Sequence, residues 1–194
     1  MAETPRIALI VGSTRDSRFA EKPVAWLKGV AAERDDLTLD ILDIRDFDLP
    51  FFNEPASQLW MPSSDANAVR WQEALEPYDG FVFQVAEYNH SITGALKNAL
   101  DQAYTPWVRK PMTALAYGGN GGARAVEHLR TIASELQMAP IRFATHIGGG
   151  EFMKVHPLGE NAEMSAIDAV LRPSATAMFD DLVWWANALK AARG

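Results

Sequence analysis

At 194 residues, with 48% hydrophobic and 22% charged side chains, the chain has the size and composition of one globular domain with a core, which excludes disordered and fibrous classes. Eighteen Lys and Arg against 25 Asp and Glu leave a net charge of −7, arguing against general nucleic-acid binding, which needs basic side chains to meet phosphates. The apolar runs fall far short of the roughly 20 residues that cross a bilayer, no basic flank leads into an apolar leader, and Cys is absent, so a cytoplasmic protein without disulfides is expected.

RIALIVG (6–12) is an unbroken apolar run ending in Gly, as a strand buried on both faces of a parallel sheet requires. Residues 19–33 follow as a helix carrying Val24, Leu27 and Ala31 on one face, with Pro23 tolerable in its first turn. LTLDILDI (37–44) alternates apolar and polar residues and predicts a strand with one face less buried. Residues 45–64 hold three prolines and several large apolar side chains without a period, which predicts a long loop engaged in function or assembly. A helix over 66–75, a strand over 80–85, a helix over 93–104 and a strand over 111–117 come next. A helix over 123–137 and a fifth strand over 140–147 complete the alternation. The chain closes with an amphipathic helix from about residue 172, with Pro173 near its start and Met178, Leu182, Trp185 and Leu189 on its apolar stripe.

Strict alternation of strand and helix implies an α/β architecture, a five-stranded parallel sheet with helices on both faces in three layers. The favoured strand order is 2-1-3-4-5, within one domain over residues 1–194. Ligands of such sheets bind beyond the carboxyl ends of the strands, near the first and third. Three loops meet there: GSTRDSRF (12–19), the loop opening with Glu87, Tyr88 and Asn89, and GGNGG (118–122).

The first loop combines a glycine exit, three hydroxyls and two arginines at a helix start, where the dipole favours an anion such as a phosphate. On these residues alone an ordinary capped turn with solvated arginines is the alternative. GGNGG lets backbone approach a flat ligand, or is simply a tight turn. Together the three loops suit a planar group joined to a phosphate. FMN is such a molecule.

The stretches GSTR (12–15), EYNHS (87–91), GALKNALD (94–101) and GGNGGARA (118–125) resemble the NAD(P)H-dependent FMN reductases of flavodoxin-like fold, which include quinone, chromate and azo-dye reductases. The resemblance implies that Ser13, Arg15, Arg18 and Phe19 serve the FMN phosphate. It also implies that Glu87, Tyr88, Asn89 and Ser91 lie along the isoalloxazine, with Gly118 and Gly119 at its other edge. The family usually has Pro before Glu-Tyr-Asn, where this chain has Ala86, and often Pro before the next glycine, where Thr93 stands and is suited to cap the helix.

The activity so implied is hydride passage from NADPH or NADH to bound FMN, then to a quinone, flavin or similar small acceptor. The flavin carries the chemistry, and no catalytic side chain is assigned. The rival readings are a flavodoxin-type electron carrier serving a protein partner and a flavin-free regulatory protein of the same fold. Lys97 and Asp101 read as a helical ion pair rather than catalytic groups. The four histidines lack ligand spacing, so no metal site is expected. A homodimer or homotetramer is expected, with Phe51, Phe52, Trp60 and Met61 covering a neighbour's flavin site or else folding back onto their own core.

Overall fold

The computed structural model describes residues 4–194. Ile7 to Val11 are all buried in the first strand, β1 (Arg6–Val11), which the apolar run requires of a central parallel strand. The helix α1 (Glu21–Ala32) places Pro23 in its first turn, and β2 (Thr38–Asp43) is a largely exposed edge strand, as its alternation predicts. Between them and α2 (Ala66–Leu75) runs the long loop, opening with a 3-10 turn over Ile44–Phe47. Then come β3 (Gly80–Ala86), α3 (Gly94–Asp101), β4 (Pro111–Tyr117) and α4 (Ala123–Glu135).

The strands pair in parallel in the order 2-1-3-4-5, as expected. Register matches Val11 to Gln84 and Ala86 to Tyr117, so β1, β3 and β4 end nearly level. Leu9, Val11, Val82 and Leu115 face α1 and the C-terminal helix, while Ile10, Phe81, Phe83 and Ala114 face α2, α3 and α4. One sheet thus separates two apolar cores.

Where a continuous fifth strand is expected over 140–147, two short pieces, β5 (Ala139–Pro140) and β6 (Thr145–Ile147), lie in turn beside β4. Other donors take the intervening carbonyls: Arg130 reaches those of Ile141 and Arg142, and the Thr113 hydroxyl donates to that of Phe143. A short helix, α5 (Gly149–Val155), precedes the final helix α6 (Asp168–Arg193).

The last helix begins earlier than its proline suggests. Ile167 and Leu171 are buried and draw the helix start forward, leaving Pro173 in the second turn on the exposed side. The carbonyl deprived of its i+4 donor belongs to exposed Ala169, where water can serve it. The buried stripe is Met178, Phe179, Leu182, Val183 and Ala186; Trp185 sits at its margin and Trp184 faces outward.

At the opposite edge from the strand carboxyl ends, Lys110 is only 7% exposed, its ammonium donating to the carbonyl of Glu76 at 3.0 Å. Burial, then neighbouring Arg193, lower its pKa from 10.5 to about 8, although Asp79 and Glu76 oppose the shift. The unfolded chain therefore binds the proton more tightly, and folding gains stability as pH rises from about 8 toward 10.5. Urea unfolding of wild type and Lys110→Met should show a stability difference that moves in favour of wild type across that interval. A pH-independent difference would count against titration of Lys110.

Candidate functional site

The first loop leaves β1 through Gly12, whose N–H donates to the Gln84 carbonyl at 3.1 Å. A Cβ at Gly12 would stand 2.5 Å from that carbonyl oxygen, so only glycine permits the approach. Ser13 follows at 1% exposure, and its Oγ makes no well-aligned hydrogen bond among the described residues.

Arg18 is already engaged by protein groups. Its guanidinium donates to the Ser13 carbonyl at 2.7 Å, to both oxygens of Asp43 and to Glu21 Oε1 at 2.8 Å. Burial opposes its charge, but the hydrogen bonds to Asp43 and then Glu21 prevail and raise its pKa. Burial likewise opposes the charge on Asp43, and the bonds from Arg18 and Arg45 outweigh it. Arg18 thus clamps the loop to the end of β2. Arg15, by contrast, is exposed and its guanidinium makes no hydrogen bond or ion pair among the described residues. Phe19 is buried edge-on against Tyr117, with ring centroids 5.0 Å apart.

In the second loop, Tyr88 and Ser91 exchange backbone hydrogen bonds of 2.9 and 3.0 Å around Asn89 and His90, whose φ values are 48° and 76°. Two successive positive φ angles mark a tight hairpin turn of the primed kind, for which asparagine is well suited. The buried Glu87 carboxylate pairs with Arg124 in the first turn of α4, while its Oε2 has no partner. Ser91 Oγ lies 2.6 Å from His128 Nδ1 on the same helix. Thr93 accepts from the Leu96 N–H, capping α3, and donates to the Gly12 carbonyl at 2.5 Å, which joins the second loop to the first.

The glycine loop is fastened in the same manner. Gly118 N–H donates to the Ile147 carbonyl, and His146 Nδ1 donates to the Gly121 carbonyl at 2.8 Å. Gly122 adopts φ 71° at the start of α4, where a Cβ would come within 2.8 Å of the Ala116 Cβ. Gly118 backs onto the Glu87 side chain, and Gly119 is exposed.

Beside these loops opens a cavity of about 250 Å³. Of the expected residues it brings together Ser13, Arg15, Arg18, Phe19 and Tyr88; Glu87, Asn89, Ser91, Gly118 and Gly119 lie outside its lining. Its other walls are Ser17, Tyr117 and the His156–Pro157–Leu158 run after α5, none singled out from sequence. Tyr117 immediately precedes the glycine loop, a position that could have flagged it; His156 carried no local signal. Burial, then the nearby Tyr88 phenol, push the Tyr117 pKa up to about 12, against the opposing effects of Gln84, Ser13 and Arg18, so this phenol is neutral in ordinary buffers.

Lys97 and Asp101 pair along α3 at 2.6 Å, and Asn98 donates to the Pro50 carbonyl, so these polar residues support the helix and the long loop. The unpartnered buried groups are different. Ser13 Oγ, both polar atoms of the Gln84 amide and Glu87 Oε2 cluster where β1 and β3 end; the Tyr117 phenol lies within hydrogen-bonding reach of Ser13 and Gln84 but no well-aligned bond forms among the described residues. Buried polar groups ordinarily find partners, so this set suits a ligand bringing polar atoms of its own. Hydroxyl, amide and carboxylate offer both donors and acceptors, which fits the phosphate, ribityl and ring edges of FMN.

Residues 5–150 match the family model described as NADPH-dependent FMN reductase. The chain is 34% identical over 154 residues to the NAD(P)H-dependent FMN reductase ntnL of Nectria sp, covering 75% of this chain and 77% of that protein. It is 31% identical over 140 residues to a 2-hydroxy-1,4-benzoquinone reductase of a Burkholderia sp, covering 69% and 72% of the two chains. Among solved structures, the flavoenzyme NAD(P)H:(acceptor) oxidoreductase FerB of Paracoccus denitrificans superposes with a TM-score of 0.70 at 21% identity, over 95% of this chain and 98% of that one, which shows the shared fold. With three quarters of its length inside the family match and its loops at the expected sheet edge, the chain belongs to the NADPH-dependent FMN reductase family.

Proposed function

We propose that the first loop and its cavity hold the FMN phosphate, that Glu87, Tyr88, Asn89 and Ser91 with Gly118 and Gly119 border the isoalloxazine, and that a quinone or similar small molecule is the final acceptor. Family membership makes the chain an NAD(P)H-dependent flavin oxidoreductase with FMN as its cofactor. The observation that carries the residue assignment is the Ser13 hydroxyl, buried without a well-aligned hydrogen bond among the described residues and lining one cavity with the Arg15 guanidinium.

FMN supplies the hydride-accepting and hydride-donating centre when bound. The chain's part is to bind and orient. Ser13 donates a hydroxyl hydrogen bond and Arg15 a charge to the phosphate, while Arg18 keeps the loop in shape through Asp43. Glu87 Oε2 offers an acceptor to a ring N–H, and the ion pair with Arg124 holds that carboxylate in place. The Tyr88–Ser91 turn and its bond to His128 limit the movement of this wall. A quinone as acceptor is supported by the benzoquinone reductase relative and by a quinone reductase relative from Pseudomonas putida.

We further read the chain as one domain, cytoplasmic and homo-oligomeric. A single sheet organises both cores, and no described helix is long and apolar enough to cross a membrane. Phe51 and Trp60 are 86% and 81% exposed, on a loop held by Gln58, Asn98 and Gln102 rather than packed into its own core. A fastened loop that displays large apolar side chains is suited to a second copy of the chain.

The first test adds FMN, desalts the protein and records its visible spectrum before and after NADPH without oxygen. A retained flavin spectrum that bleaches is expected; no retained flavin would overturn the site assignment. Ser13→Ala and Arg15→Gln should each weaken FMN binding about tenfold, the scale of one hydrogen bond to a charged group. Trp60→Asp should lower the mass read by light scattering to that of a monomer, and an unchanged oligomer would remove this loop from the interface.

A further inference from the structure

The segment after α5 lies beyond residues 5–150 that match the family model, yet it forms one wall of the cavity. It folds back on its own helix, with Glu160 N–H donating to the Met153 carbonyl and Ala162 N–H to that of Lys154. Lys22 of α1 fastens it: the ammonium donates to the carbonyls of Val155, Asn161 and Ala162 and to Asn161 Oδ1, at 2.8 to 3.3 Å.

That segment presents His156. Its ring packs against Phe152 and Phe19 at 4.5 and 5.1 Å, and its Nδ1 accepts the Leu158 N–H at 3.1 Å. An Nδ1 that accepts leaves the proton of the neutral imidazole on Nε2. Burial, then Arg15 and Lys22, lower the His156 pKa, which keeps the ring in that form. The charged groups around it are Arg15 and Arg18 on the first loop and Lys22 on α1, with Tyr88 and Tyr117 opposite and exposed Lys154 and Glu160 on its own segment. An anion entering this cavity meets positive charge on several sides. Because Arg18 is held by Asp43 and Glu21, the first loop is left with Ser13, Arg15 and Ser17 as side-chain donors lining the cavity, and the facing wall is placed to add another.

We propose that His156 donates its Nε2–H to the phosphate of bound FMN, and that Lys22 positions it by fastening residues 155–162 beside the first loop. This rests on the cavity being the phosphate site. The charge-neutral remainder of the ligand provides the discriminating probe, since riboflavin shares every feature of FMN except the phosphate.

Dissociation constants for FMN and riboflavin are measured by flavin fluorescence on flavin-free wild type, His156→Phe, His156→Gln and Lys22→Met. Wild type should bind FMN more tightly than riboflavin. His156→Phe, which keeps an aromatic ring against Phe152, should weaken FMN about tenfold while changing riboflavin less than about twofold, and His156→Gln, which restores a donor, should recover part of the loss. Lys22→Met should weaken FMN preferentially as well. An unchanged FMN constant in His156→Phe, or an equal loss for both ligands, would overturn the role of His156. Wild type that binds both flavins equally would instead sink the phosphate reading of the cavity, and failure to bind either would sink the FMN assignment to these loops.

Discussion

The parallel register of β1, β3 and β4 is the constraint on which the remaining architecture depends. Backbone pairing sets Val11 against Gln84 and Ala86 against Tyr117, so three chain segments leave the sheet at one edge. Each exit carries backbone groups that the sheet no longer satisfies, and each finds its partner in a neighbouring loop. Gly12 donates to Gln84, Glu87 to the Tyr117 carbonyl and Gly118 to Ile147. The ladder passes into loop-to-loop bonding without a break. Side chains then add cross-links, from Thr93 to Gly12, Glu87 to Arg124, Ser91 to His128 and His146 to Gly121. A ligand site built in this way is organised before the ligand arrives, and less ordering is charged against binding.

The electrostatics of that edge invert the character of the whole chain. The protein carries −7, but the first-loop side of that edge gathers Arg15, Arg18, Lys22 and Arg45. Their uses differ. Arg18 and Arg45 share Asp43 and Glu21 in a compact ionic cluster, and Lys22 gives its protons to backbone carbonyls. Only Arg15 is left without a partner among the described residues. A buried cation such as Arg18 is tolerated because the largely buried Asp43 meets it through both carboxylate oxygens; removal of either would strand the other. The cluster therefore serves the shape of the loop, and a smaller set of groups is left to meet a ligand.

Much of the fold was legible because burial on both sheet faces leaves continuous apolar runs, as in RIALIVG and GFVFQV, that no other element explains. Thr93 was readable as a cap because its hydroxyl acts on a helix beginning one residue later. The loops were legible as a site because strand ends in a parallel sheet have known neighbours. The bonds of Arg18 to Asp43 and Glu21 were not legible: an arginine in a glycine and serine loop looks identical in sequence whether or not it is also held by a carboxylate 25 residues away. The edge strand was read as continuous because its break depends on Thr113 and Arg130, which reach it from other elements. The early start of α6 was hidden by Pro173, whose missing bond falls on the exposed side.

By itself the sequence determined the alternation of elements, the strand order and the three loops at one edge, because these follow from local periodicity and the chirality of parallel crossovers. Tertiary structure alone decided which polar groups remained unpartnered and which side chains met across the cavity. Those outcomes depend on contacts between residues far apart in the chain. Ser13 is left without a well-aligned partner among the described residues, Arg18 turns to Asp43, and a segment fastened by Lys22 some 133 residues away brings His156 to the first loop. Such pairings leave no period or spacing in the chain, since each arises only when packed elements bring distant side chains within hydrogen-bond reach.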